Sequence, residues 1–123
     1  MMDIATAISG VLTERSALQQ PEGVFSPSYI SEHMQRLAQY TSALEENLGE
    51  NEKLLELREA TLFKEYREKG MSTNAAQTQL KYEVATDKAE ILRLTRLCNT
   101  SWRMIASSQS RIKHLLAEAQ NQI

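Results

Sequence analysis

Residues 26–73 read SPSYISEHMQRLAQYTSALEENLGENEKLLELREATLFKEYREKGMST. The stretch opens on a Ser-Pro pair and runs to a glycine, the signals that start and stop a helix. Ser26 caps the first turn, and Pro27 takes the first helical position, where its missing N–H costs nothing. Between them Ile30, Met34, Leu37, Thr41, Leu44, Leu48, Leu55 and Leu62 recur in three- and four-residue steps, the pattern of a coiled-coil seam. Asn51 and Arg58 interrupt this seam. Gly49 beside them costs about 1 kcal/mol relative to Ala, so a kink is expected there. Gly70 ends the helix behind Lys64, Arg67 and Lys69, cations that suit the negative end of the helix dipole.

Ser72 or Thr73 caps a third helix that should run to about Asn121. Its seam reads Leu80, Val84, Ile91, Leu94, Cys98, Trp102, Ile105, Ile112, Leu115 or Leu116, and Ala119. Both long helices exceed about 40 residues, or about 60 Å. A turn of two or three residues makes them an antiparallel αα-hairpin. Upstream, Asp3 to Gln19 forms a short helix on Ile4, Ile8, Val11, Leu12 and Leu18, weakened by Gly10, and Gln20–Gly23 breaks it.

The expected architecture is therefore all-α. Residues 1–24 make a short helix and linker, and residues 25–123 make a long helical hairpin with helices at about 27–69 and 73–121. Such a hairpin exposes more apolar surface than one short helix can cover, so assembly into a helical homo-oligomer is the expected remedy.

Composition agrees with this reading. The chain has 123 residues, enough for one domain, with only four glycines, two prolines and 6% aromatics. No β-branched run bounded by turn residues signals a strand. The lone Cys98 excludes an intrachain disulfide and fits a reducing compartment, and its seam position makes it a buried small hydrophobe. No secretory signal or membrane span is legible, so a soluble protein of the cytoplasm is expected (the host cytoplasm if phage-encoded).

Charge is unevenly placed. Residues 1–71 carry seven basic and twelve acidic groups, and residues 72–123 seven basic and four acidic. From Ile91 to Ala117 there are five basic side chains, Arg93, Arg96, Arg103, Arg111 and Lys113, and no acid at all. Counted in the heptads of the seam, Arg93, Arg96, Arg103 and Lys113 fall within about one quadrant of the helix and Arg111 outside it. Such a strip could track phosphates, with Trp102 beside it to stack a base. It could equally pair with the acids of the second helix, Glu45, Glu46, Glu50, Glu52, Glu56, Glu59, Glu65 and Glu68, which would leave no electrostatic footprint. Trp102 on the seam reads first as packing.

Enzymatic signals are thin. His33 and His114 have no second ligand at metal spacing and read as surface or helix-terminal residues, and no phosphate-binding loop or nucleophile elbow is present. The chain reads as a non-enzyme without metal or cofactor.

The second helix as quoted, the opening LKYEVATDKAEILRL of the third and its closing ASSQSRIKHLLAEA together resemble UvsY, the recombination mediator family of T-even-type phages. The resemblance covers roughly residues 25–118. It implies a homo-oligomer that binds single-stranded DNA and helps a RecA-like recombinase replace single-strand-binding protein. It also implies DNA contacts at the end of the second helix, where this chain offers Lys64, Arg67 and Lys69. Tyr66 stands alone where the family has paired tyrosines, and Glu65 and Glu68 dilute the local charge.

The leading expectation is thus a recombination accessory with Lys64, Arg67 and Lys69, then Arg93, Arg96 and Arg103, on DNA. Two alternatives stay open: a small phage-type protein that binds a host protein, such as a defence factor, or a purely structural coiled coil.

Overall fold

Three capped helices and no strand make up the described part of the chain in the computed structural model, which describes residues 2–21 and 26–121. They are α1 (Ile4–Leu18), α2 (Pro27–Glu68) and α3 (Thr73–Asn121). The break expected at Gln20–Gly23 lies partly outside the described residues. The Asp3 carboxylate caps α1 by accepting from the Thr6 amide at 2.7 Å, and Ser26 Oγ caps α2 by accepting from Tyr29. Ser72 Oγ caps α3 by accepting from Ala75. Each oxygen satisfies a first-turn amide that has no partner inside its helix.

The α2–α3 turn is built on Gly70, whose φ of 92° is the left-handed conformation that a Cβ disfavours. Its amide donates to the Arg67 carbonyl at 3.0 Å and the Met71 amide to Tyr66 at 3.1 Å, which closes the end of α2. The helix runs unbroken through Gly49, and a Cβ there would meet nothing within 4 Å.

In α2, Ile30, Leu37, Thr41, Leu44 and Leu48 are buried, whereas Asn51 and Arg58 are exposed and Leu55 and Leu62 half-buried. In α3 the buried or half-buried line is Val84, Asp87, Ile91, Leu94, Cys98, Ser101, Ile105, Ser108, Ile112 and Leu115, in alternating steps of three and four. This line corrects the expected seam at Trp102 and at Ala119. Trp102 is 37% exposed and Ser101 is fully buried in its place. The Ser101 hydroxyl donates to the Leu97 carbonyl at 2.8 Å, so a polar seam residue leaves no unpaired donor. Leu116 and Ala119 are exposed as well, so the seam frays after Leu115.

Packing register is fixed by contacts across the hairpin. Arg58 pairs with Asp87, Lys88 lies 3.9 Å from Glu59, and the Trp102 indole N–H donates to Glu45. This register brings the small Ser101 and Ser108 level with Leu44 and Leu37, so large residues face small ones across the seam. Fully burying each leucine of this core contributes about 2 kcal/mol.

α1 lies antiparallel to α2 along one flank of the seam. Tyr29 donates to the Ala17 carbonyl at 3.1 Å at one end, and Asn47 donates to Met2 at 3.2 Å at the other. Between them Ala7 and Val11 are fully buried against the leucines of α2. At Gly10 the two helices leave no room for a side chain, because an added Cβ would fall within 3.0 Å of the Tyr40 ring. The glycine that weakens α1 as a helix is what lets it dock.

Candidate nucleic-acid interface

The heptad line of α3 decides where its charges point. With Leu94, Cys98, Ser101 and Ile105 facing inward, Arg96 and Arg103 share the outermost position of the repeat, and Arg93 and Lys113 flank it. Arg111 instead lies beside the seam. The four acids of α3, Glu83, Asp87, Glu90 and Glu118, fall on or beside the seam, and none lies on the outer face. Arg96 and Arg103 are separated by seven residues, about 10 Å along the axis, with Lys113 about 15 Å further.

Among the described residues, Arg96, Arg103, Arg111 and Lys113 have no carboxylate partner. Arg93 does. Its guanidinium makes two bonds to Glu90, at 2.7 and 3.1 Å, which raise the Arg93 pKa and hold the Glu90 carboxyl below its usual range. This partner comes from the same helix. The acids of α2 do not reach the strip, because residues on the outermost positions of one helix point away from the other. They pair across the flank instead, Glu59 with Lys88 and Glu45 with Trp102.

The cations at the turn are differently placed. Lys64 lies 4.0 Å from Glu68, and Arg67 donates to the Met71 carbonyl at 2.8 Å, which ties it to the turn. Lys69 is exposed at the end of α2. The Tyr66 phenol is pushed up by loss of water and then by the carboxylates of Glu83 and Glu65, with Arg58 opposing. The turn and the strip are not brought together. Arg93 lies about 30 Å along α3 from its start, and Lys113 about 60 Å.

Trp102 stands beside Arg103 with its indole N–H turned to Glu45, so its ring lies over the hairpin flank. Cys98 is buried, and its thiol is pushed up to about 11 by burial and then by Glu45. His33, expected at a surface or helix end, is instead a half-buried link between α1 and α2. Its Nδ1 lies 2.6 Å from Glu14, a carboxylate that is itself buried. His114 is exposed, 3.1 Å from Glu118. Among the described residues no three metal-ligating side chains converge, and no helix is long and apolar enough to cross a membrane.

The sequence reading missed the Glu90–Arg93 pair, although its three-residue helical spacing was legible. No protein-family model, curated protein or solved structure matches this chain.

Proposed function

We propose that the chain is a homo-oligomeric recombination accessory protein that binds single-stranded DNA without sequence preference along the outer face of α3. In this role it helps a RecA-like recombinase displace single-strand-binding protein. The observation that supports DNA binding is the run Arg96, Arg103 and Lys113, exposed on a face without carboxylates and far from the acids of α2. The recombinase role rests on the resemblance to the UvsY family. The turn cations Lys64, Arg67 and Lys69 become secondary contacts in this reading, because Lys64 lies beside Glu68 and Arg67 is tied to the turn carbonyl of Met71.

Fluorescence anisotropy with a labelled oligonucleotide tests the reading. Affinity should fall steeply from low to moderate salt, and Arg96→Glu with Arg103→Glu should lower the slope of log K against log salt by about 1.4, at about 0.7 per lost contact. Lys64→Glu with Lys69→Glu should change it less. Absence of binding at low salt would defeat the proposal, as would equal binding by the strip variant.

A further inference from the structure

α1 covers only half of the hairpin. Its lane passes from Glu14 beside His33, over Gly10 on Tyr40, to Met2 at Asn47. Beyond Asn47 the same flank continues as a groove of about 300 Å³ lined by Asn51, Leu54, Leu55, Arg58, Asp87 and Ile91. Where α1 lies, Leu37 and Leu44 are fully buried. Past its end Leu55 and Ile91 are only half-buried, and Leu54 and Leu57 are 63% and 66% exposed.

We propose that a second copy of this chain docks here, the two uncovered half-hairpins packing face to face about a two-fold axis as a four-helix bundle. The surface continues the interface that α1 already occupies, so the same flank that accepts one helix is presented for another. It also offers both halves of a contact. Leu54 and Leu57 form a ridge, and the Leu55–Ile91 groove lies beside it. A two-fold interface requires a patch that fits itself, and ridge beside groove meets that condition. The rim carries Arg58 and Arg93 with Asp87 and Glu90, already paired with one another, so it does not select a partner of one charge.

The size is adequate. Residues 49–68 span about 30 Å and two helices about 20 Å. About 600 Å² per copy, or about 1,200 Å² in total, is the lower end of a stable interface. The inference gives the self-association in the proposed function a surface and a symmetry, and it does not depend on DNA.

Size-exclusion chromatography with light scattering, without nucleic acid and from about 100 μM downwards, reads the assembly directly. Twice the monomer mass is expected. Leu54→Glu with Leu57→Glu should weaken the dimer at least about tenfold. Both sites are exposed, so helicity by circular dichroism should be retained. Leu116→Glu, another exposed leucine on α3, should leave the dimer intact. A monomer at every concentration would overturn the interface, and so would an assembly that ignores Leu54→Glu/Leu57→Glu or that dissolves with Arg96→Glu/Arg103→Glu. A dimer that ignores the oligonucleotide supports the interface and defeats the DNA reading; a monomer that binds it does the reverse.

Discussion

The backbone of Gly10 in α1 rests against the ring of Tyr40 in α2 with no space for a side-chain atom between them. The aromatic ring cannot compress, and it is held between helices. A methyl group at position 10 therefore moves α1 as a whole.

Gly10→Ala should cost about 1–3 kcal/mol through overpacking, outweighing the gain of about 1 kcal/mol in helix propensity. Gly49→Ala should have the opposite sign, stabilising by about 1 kcal/mol, because a Cβ there meets nothing. Urea denaturation of the two variants beside the parent measures both. Equal effects would show that α1 does not dock on Tyr40.

Thr41 is fully buried and its hydroxyl has no hydrogen-bond partner. Thr41→Val keeps the shape and removes the unpaired group, so it should stabilise the chain by about 1 kcal/mol or more. The thermal midpoint reads this, and a lower midpoint would mean that the hydroxyl is satisfied in solution.

The Glu14–His33 pair at 2.6 Å joins α1 to the start of α2, and Glu14 is buried. Removing His33 leaves that carboxylate without its partner. His33→Ala should cost about 1–3 kcal/mol. The double variant with Glu14→Ala should cost less than the sum of the two single changes. A strictly additive cycle would show that the two groups do not interact in solution.

Cys98 should resist alkylation in the folded protein across the neutral range, since its thiol holds its proton to about 11. Between the ordinary value of 9.0 and about 11 the unfolded chain loses this proton while the folded chain keeps it. Rising pH therefore favours unfolding through this window, and the contribution is fully present below it. Replacing Cys98 with Ala should flatten that part of the stability–pH curve. Rapid native labelling at neutral pH would contradict the burial.

The ends of the helices were legible because they depend on neighbours in sequence. Ser26-Pro27, Gly70 and Ser72 act within one turn of backbone, and their chemistry is the same wherever the segment packs. Spacing in α2 was legible for the same reason, since Ile30 to Leu48 keep one face without interruption. In α3 polarity misled, because Trp102 is apolar and Ser101 is not. The phase of a seam is set by every layer along the partner and by matched volume, so a serine level with Leu44 sits inside more easily than an indole.

By itself, then, the sequence determined an all-α chain, its helix caps and the antiparallel pairing forced by a short turn. Tertiary structure alone decided that Gly10 docks on Tyr40 and that α1 stops at Asn47, leaving Leu54 and Leu57 bare. It also decided which cations stay unpaired. Glu90 takes Arg93 on its own helix, whereas Arg96 and Arg103 point away from every acid of α2. Charge pairing depends on distance and direction between elements, and a count of acids and bases along the chain contains neither.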